Sequence, residues 1–187
     1  MRDTVLAKAV IGHETLMHKA ALVIGGSFFI ALAAQVSVPM FPVPMTLQTL
    51  AILIVGLTFG SRLGAVTLMA YLAEGAMGLP VFANGANGVA LMGPTAGFLF
   101  GFVAMAGLAG LAAERGLARG VVSTALCALL ISAALYLPGI AWLSTFTGVE
   151  KAVQLGALPF LLGDVVKAVI AAMVVWGGWK VIAARRG

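Results

Sequence analysis

The fold of this chain is decided by residues 20–61, AALVIGGSFFIALAAQVSVPMFPVPMTLQTLAILIVGLTFGS, which form a run of 42 residues without a formal charge. This length is enough for two helices of about 17 to 20 residues, the length that crosses a bilayer core. The middle of the run, PMFPVP at residues 39–44, cannot form a regular helix, because proline lacks the backbone N–H and restricts the residue before it. The run therefore predicts two membrane-spanning helices, near residues 18–37 and 46–60, that are separated by a break.

The rest of the chain is equally apolar. Hydrophobic residues make up 62% of the 187 residues and charged residues only 9%, whereas a soluble domain carries roughly 25% charged residues. Because so few charges cannot cover a water-facing surface, lipid must cover most of the protein. The 24 glycines suit closely packed membrane helices, and no segment alternates in polarity as barrel strands do. We therefore predict an all-α, polytopic membrane protein in contact with the lipid bilayer.

Charge and metal-ligand composition exclude several classes of protein. The net charge of +5 is not a nucleic-acid footprint, because the basic residues are scattered between apolar runs. Cys127 is the only cysteine and lies in an apolar run, which indicates a packing role. His13 and His18 lie before the first helix, and two histidines without a cysteine cluster are not the ligand set of a structural zinc site. We expect no nucleic-acid partner, no metal and no other cofactor.

Apolar segments after Arg62 predict four more helices, which brings the count to six transmembrane helices. We interpret residues 139–157 as an amphipathic connection and residues 1–187 as a single membrane domain. The charged leader before the first apolar run is long and further apolar segments follow, so we expect that run to be retained and not cleaved as a signal peptide. The four additional helices lie near residues 63–77, 95–113, 120–137 and 160–183.

The distribution of basic residues supports six spans. With the N-terminus inside the cell, six spans place 9 of the 11 Lys and Arg residues on the cytoplasmic side, as the positive-inside rule requires. An odd number of spans would put the basic C-terminus outside, so we expect both termini in the cytoplasm. The longer connections, 38–45, 78–94 and 138–157, then face outward. This asymmetry indicates function on the outer face, although loop variability alone can also produce it.

Asp164 and Lys167 are two charges in a segment where charges are costly. They lie three residues apart at the start of the last helix, a spacing that places them on one helix face. Each costs about 2.5 to 3.5 kcal/mol at the bilayer centre on insertion scales, and less near the interface. One interpretation is a local ion pair near a helix N-terminus, where the helix dipole favours aspartate. The other is a polar patch facing a cavity, where the lysine meets an anionic ligand and the carboxylate accepts N–H donors.

Three other polar side chains each allow more than one interpretation. Asn84 either offers its amide to a ligand or belongs to an Asn-Gly turn. Glu74 is a ligand, a proton carrier or, as we favour, a snorkelling residue just before the chain break at residues 78–80. Gln48 is costly to bury unpaired, so it either bonds across helices or faces a cavity.

Three motifs that mark nucleotide binding or hydrolysis are absent from the sequence. It has no G-x-x-x-x-G-K-[ST] phosphate loop, no G-x-S-x-G nucleophile turn and no H-E-x-x-H metal motif. The chain therefore cannot hydrolyse ATP through a phosphate loop, and a binding or transport subunit is favoured over an enzyme. The alternative is a self-sufficient, ion-coupled secondary transporter of a small organic anion, with Glu74 as its proton site.

Four stretches, taken in their order and spacing, resemble the BioY family, the biotin-specific S components of energy-coupling factor (ECF) importers. The resemblance covers nearly the whole chain. It implies a six-helix S-component fold in a bacterial plasma (inner) membrane, with biotin held near the outer surface. The stretches are FPVPMTLQTL at residues 41–50, GLPVFANG at 78–85, GPTAGFLFGF at 93–102 and PFLLGDVVKA at 159–168.

The resemblance also implies roles for individual side chains. Asp164 suits the two N–H donors of the ureido ring, Asn84 can serve the donors or the carbonyl, and Lys167 can pair with the valerate carboxylate. Phe98 stands where the family pattern G-P-T-G-G-Y has tyrosine, so apolar stacking is kept and the hydroxyl is absent. The other expected substrate contacts are Gly78, Gln48, Phe41 and Val81.

Partners follow from the same resemblance. It implies a transmembrane coupling protein and a pair of cytoplasmic ATP-binding cassette ATPases, which agrees with the missing phosphate loop. S components dock their coupling protein through small residues of the first helix, in an Ala-x-x-x-Ala pattern. That strict pattern is not evident here, and we expect equivalent small faces at Ala21-x-x-x-Gly25 and Ser27-x-x-x-Ala31.

Overall fold

The structure is a computed structural model that describes residues 5–11 and 15–186. Arg2 and His13, which the sequence places before the first span, lie outside these residues. The described part is mostly helical, with short 3-10 turns at Ala83–Gly85, Gly88–Leu91 and Leu158–Phe160. Its α-helices are α1 (Leu6–Ile11), α2 (Leu16–Gln35), α3 (Gln48–Phe59), α4 (Ser61–Ala76), α5 (Ala96–Glu114), α6 (Val121–Thr147), α7 (Val149–Gly156) and α8 (Leu161–Arg186).

A small hairpin occupies the proline-rich break after α2. Strand β1 (Ser37–Val38) pairs antiparallel with β2 (Met45–Thr46), with Ser37 opposite Thr46. Residues 77–95 and α7 lie at the same end of the bundle as this hairpin. We call this end the hairpin end. At the opposite end α1 packs on α3 and α8. The sequence prediction included neither this hairpin nor α1.

Helix length alone does not yield six spans. Four segments among the described residues are long and apolar enough to cross a membrane, namely α2, α5, α6 and Val149–Ala184, which includes α7 and most of α8. Helix α3 has 12 residues and α4 has 16. At about 1.5 Å per residue they extend roughly 18 and 24 Å, less than the hydrocarbon core of about 30 Å.

Helix α6 differs most from the sequence prediction. We predicted that this helix ends at residue 137, before Pro138-Gly139, but it continues to Thr147 with Pro138 inside it. That prediction is wrong because an interior proline, which costs about 3 kcal/mol in an isolated helix, is here packed against α5. The helix ends instead at Gly148, whose φ of +81° suits glycine. The connection expected at 139–157 is therefore largely helical.

Close contact between α5 and α6 depends on a glycine. A Cβ atom on Gly97 would lie 2.4 Å from the carbonyl oxygen of Pro138 and 2.4 Å from Cβ of Trp142. Only a residue without a side chain allows the two backbones to approach this closely, as is common between membrane helices. The contact sets the depth at which the next residue, Phe98, projects from α5.

We expect Gly97→Ala to lower the stability of the protein, because the added methyl overpacks the α5–α6 contact at a cost of about 1 to 3 kcal/mol. Gly107→Ala on the same helix is the matched control, since its Cβ would meet only Ala65 Cβ at 3.9 Å. That control should gain up to about 1 kcal/mol of helix propensity. The measurement is the thermal unfolding midpoint in detergent, and shifts of the same sign for both variants would contradict the packing argument.

Candidate functional site

A cavity of about 310 Å³ lies at the hairpin end of the bundle. The size falls within the range of small-molecule sites, roughly 300 to 1,000 Å³. Its apolar lining comes from Val43, Pro44, Phe82, Ala83, Ala86, Ala90, Phe98, Leu99, Phe102, Leu135, Gly156 and Phe160. Its polar lining comes from Thr46, Gln48, Thr49, Asn84, Thr95, Tyr136, Asp164 and Lys167.

The charged wall of the cavity is formed by Asp164 and Lys167 on α8. Each residue is only 7% exposed, and Nζ of Lys167 lies 3.7 Å from Oδ1 of Asp164. Tyr136 on α6 donates its hydroxyl hydrogen bond to Oδ2 of Asp164. Lys167 donates to Oγ1 of Thr49 on α3 at 3.0 Å. Because a buried charge needs an opposite charge and hydrogen-bond partners, helices α3, α6 and α8 together hold this pair in place.

The aromatic wall depends on a glycine of α6. The ring of Phe98 lies so close to α6 that a Cβ on Gly139 would be 2.2 Å from its Cε1 atom. A Cβ on Gly156 of α7 would lie 3.5 Å from the far end of the same ring. The ring is therefore seated between α6 and α7 and presents an apolar surface to the cavity. Such a surface can pack against a fused ring system without a hydroxyl at position 98.

Asn84 borders the cavity from the connection between α4 and α5. Its backbone adopts a left-handed conformation with φ +58°, which asparagine tolerates better than most residues. Ser37 donates its hydroxyl to Oδ1 of Asn84 at 2.7 Å. The turn interpretation and the ligand interpretation of Asn84 are therefore compatible, because the residue forms a turn and lines the cavity.

Gln48 lines the cavity at the start of α3 and is 3% exposed. Its Nε2 donates to the hydroxyl of Tyr71 at 2.8 Å, and Tyr71 donates in turn to the carbonyl of Val81 at 2.8 Å. Gln48 thus both bonds across helices and faces the cavity. This relay links α3 and α4 to the segment that carries Asn84.

Three residues expected at the site lie elsewhere. Phe41 is 90% exposed in the hairpin loop. Gly78 is exposed just after α4, with a φ of +95°. Val81 is half-buried, and its carbonyl accepts the hydrogen bond from Tyr71. None of the three lines the described cavity, and their contact with a substrate stays a prediction.

Two residues that the sequence analysis did not select, Tyr136 and Thr49, complete the charged wall. The signal for Tyr136 is a phenol within an apolar membrane helix, since a buried tyrosine hydroxyl normally has a hydrogen-bond partner. Thr49 follows Gln48 directly, but nothing in its local sequence indicates that Lys167 contacts it. Their roles depend on which faces of α3, α6 and α8 meet.

Ser27 does not belong to an exposed docking face, so that part of the prediction is wrong. It is 1% exposed, and its hydroxyl donates to Oε1 of Glu74 at 2.7 Å. On a helix with about 3.6 residues per turn, Ser27 points roughly 200° away from Gly25. Ala21 and Gly25 are exposed, and Ala31 is half-buried. Glu74 lies two residues before the end of α4 and does not line the cavity.

Sequence comparison identifies relatives over most of the chain. Residues 5–184 match the BioY family model. The probable biotin transporter BioY of Pyrococcus horikoshii is 41% identical over 79% of this chain and 90% of its own length. The biotin transporter BioY of Thermotoga maritima is 36% identical over 78% and 86%, and that of Rhizobium etli is 36% identical over 83% and 90%. The resemblance inferred from the four stretches is thus confirmed.

Structural comparison identifies the fold. The crystal structure of the S-component for biotin from an ECF-type ABC transporter matches 90% of this chain and 95% of its own, with a TM-score of 0.76 and 24% identity. The four long apolar segments and the transporter relatives agree on a multi-pass membrane protein. The family model covers nearly every described residue and the fold is that of an S component, so this chain belongs to the BioY family.

Proposed function

We propose that this chain is the biotin-binding S component of an ECF-type importer and captures biotin from the outer face of the membrane. The observation that carries the proposal is the cavity in which the Asp164–Lys167 pair is buried beside an aromatic surface. Charged and hydrogen-bonding groups at one wall and apolar rings at another suit a ligand with a ureido ring, an apolar fused ring system and a carboxylate. The names of the relatives, which are biotin transporters, support the same ligand.

Within this proposal each polar group has a defined partner on biotin. Asp164 accepts from the ureido N–H groups, Asn84 contacts the ureido ring or the carboxylate, and Lys167 pairs with the carboxylate. Since Lys167 and Asp164 are 3.7 Å apart, one end of an extended ligand would meet both. For Lys167 to reach the carboxylate, its flexible four-carbon side chain turns away from Asp164 or the valerate tail folds back. Gln48 and Phe98 complete the contacts.

The helix arrangement supports six spans, with α2, α3, α4, α5, α6 and α8 crossing the membrane. Helices α3 and α4 are short because the hairpin and residues 77–95 occupy part of the membrane depth at the hairpin end. Irregular backbone is tolerated at that depth where it lines a cavity. We place the hairpin end outside and both termini in the cytoplasm of a bacterial cell, as the distribution of basic residues favours.

The proposed partners are a transmembrane coupling protein and two ATP-binding cassette ATPases that hydrolyse ATP for uptake. The face of α2 that carries Ala21 and Gly25 is exposed along its length, and it suits a helix-to-helix contact. A self-sufficient secondary transporter is not favoured, because Glu74, its proposed proton site, lies outside the cavity and accepts a hydrogen bond from Ser27.

We expect the purified protein to carry biotin, identified by mass spectrometry, and Lys167→Ala to weaken binding of biotin more than of a neutral biotin amide. The lost charge-assisted contact should reduce biotin affinity by about ten- to a hundredfold, as measured by isothermal titration calorimetry. Lys151→Ala on α7 is the control, because Lys151 is exposed and outside the cavity. Equal losses for biotin and its amide would place Lys167 at the ureido end instead.

Asp164→Asn should also weaken biotin binding, by about tenfold or more, because the amide presents N–H donors where the ligand and Tyr136 both donate. Tyr136→Phe should have a smaller effect in the same titration, since it removes a partner of the carboxylate and leaves the carboxylate itself. Unchanged affinity in Asp164→Asn would show that Asp164 does not hold the ureido group.

A bulky side chain at Gly25 should prevent assembly with the coupling protein and leave biotin binding intact. The site is open, since a Cβ on Gly25 meets nothing within 4 Å, so Gly25→Leu should fold. Gly177→Leu on α8 is the control, because its Cβ would also meet nothing within 4 Å. The measurement is copurification of the coupling protein and ATPases with each variant, and normal recovery with Gly25→Leu would exclude docking through this face.

A further inference from the structure

Gln35 is the last residue of α2. The nitrogen and the oxygen of its side-chain amide both form hydrogen bonds with the same turn, at residues 82–85. Its Nε2 donates to the carbonyl of Phe82 at 3.1 Å, and its Oε1 accepts from the backbone N–H of Gly85 at 3.0 Å. The same Nε2 also lies 3.2 Å from the carbonyl of Ala31 in its own helix. A backbone carbonyl can only accept a hydrogen bond and a backbone N–H can only donate one. These partners therefore assign the nitrogen and the oxygen of the Gln35 amide.

The turn held by Gln35 is the one that carries Asn84. Asn84 and Gly85 both have positive φ, at +58° and +71°, so this segment makes no regular helix or strand ladder. Its internal hydrogen bonds join Gly85 to Phe82 and Ala86 to Ala83, each at 3.2 Å, and Phe82 to Ala86 at 2.9 Å. These bonds are local to residues 82–86, so contacts with neighbouring segments decide where the turn lies relative to the cavity.

Ser37, two residues after Gln35 and at the start of β1, forms a hydrogen bond with the side chain of Asn84. Its hydroxyl donates to Oδ1 of Asn84 at 2.7 Å. Ser37 also pairs across the hairpin with Thr46, which lines the cavity. Residues 35–37 therefore contact both the backbone and the side chain of the Asn84 turn.

The other side of the turn is anchored independently. The ring of Phe82 is buried against Gly75, where a Cβ would lie 2.1 Å from its Cζ atom, and it packs edge-on against Tyr71 with ring centroids 5.2 Å apart. Tyr71 also donates to the carbonyl of Val81. Loss of the Gln35 contacts should therefore release Asn84 and Gly85 while Phe82 stays in the core.

We propose that Gln35 is a positioning residue of the binding site, and that it acts by holding the turn at residues 82–85 so that Asn84 faces the cavity. The outer end of α2 is then part of the site, although Gln35 does not line the cavity. Such pre-organisation raises affinity, because the turn is ordered before the ligand arrives. The inference rests on the proposed function, in which Asn84 contacts biotin.

Gln35→Met tests the inference, because it keeps the length of the side chain and removes both the donor and the acceptor. We expect the biotin dissociation constant to rise about tenfold, in proportion to the loss of two hydrogen bonds that order the turn. Gln35→Glu keeps an acceptor for Gly85 but faces the Phe82 carbonyl with a carboxylate, so it should bind no better than Gln35→Met. Gln154→Met on α7, where the exposed amide donates to Glu150 at 3.3 Å, is the matched control and should bind normally.

A double-mutant cycle separates positioning from general damage to the fold. In the Asn84→Ala background Gln35→Met should change the dissociation constant by less than about twofold, because the side chain that it positions is gone. An unchanged dissociation constant in the single Gln35→Met variant, or an equal loss with and without Asn84, would overturn the proposal.

Hydrogen exchange of the ligand-free protein tests the turn without biotin. Gln35→Met should speed the exchange of the amides of residues 83–86 and leave the helices unchanged, since Gly85 loses the nearer of its two acceptors and keeps only the Phe82 carbonyl at 3.2 Å. Exchange that does not change in this turn would overturn the inference even if biotin binds. Wild-type protein that binds no biotin would overturn the proposed function instead, and exchange would still decide whether Gln35 holds the turn.

Discussion

Asp164 and Lys167 are buried in a helix bundle whose interior is mainly apolar, with Nζ of the lysine 3.7 Å from Oδ1 of the aspartate. A pair of charges in such a place persists only when its hydrogen-bonding capacity is used. Tyr136 on α6 and Thr49 on α3 meet that requirement for the carboxylate and the ammonium group. These contacts join α3, α6 and α8, which are distant in sequence, and the cavity lies beside them.

The irregular connections at the hairpin end obey the same rule for the backbone. Carbonyl groups outside helices cannot be left unpaired where water is excluded. Side chains at or near the ends of neighbouring helices donate hydrogen bonds to these carbonyl groups. The connections can therefore lie between the helix ends and still line a cavity. These bonds run from Tyr71 to the carbonyl of Val81, from Gln35 to that of Phe82 and from Trp142 to that of Gly93.

Close packing of small residues determines where the aromatic surface lies. Gly97 allows α5 to approach α6, and Gly139 leaves room for the ring of Phe98. Phe98 carries no hydroxyl, and the far end of its ring meets α7. Tyr136, on a different helix, lines the cavity and carries a phenolic hydroxyl.

Local sequence rules predicted some elements well and failed at others for physical reasons. Uncharged runs and proline-rich breaks identify α2, α3 and α4 closely, because lipid solvation and the missing proline N–H act locally. Pro138 was expected to end a helix, but α5 packs on it and the helix continues. Ser27 was assigned to an exposed face by a pattern of small residues, although the same spacing fits its inward bond to Glu74.

The sequence by itself determined that the protein is helical and spans a membrane, because composition and charge-free length depend on no neighbour. It also placed Asp164 and Lys167 on one helix face, because helical spacing is local. Only the tertiary structure decided which side chains share the cavity with them. Tyr136, Thr49 and the turn of Asn84 come from segments separated by many residues, and their meeting depends on which helix faces pack together. That choice is made by close contacts such as Gly97 against Pro138, which no single segment encodes.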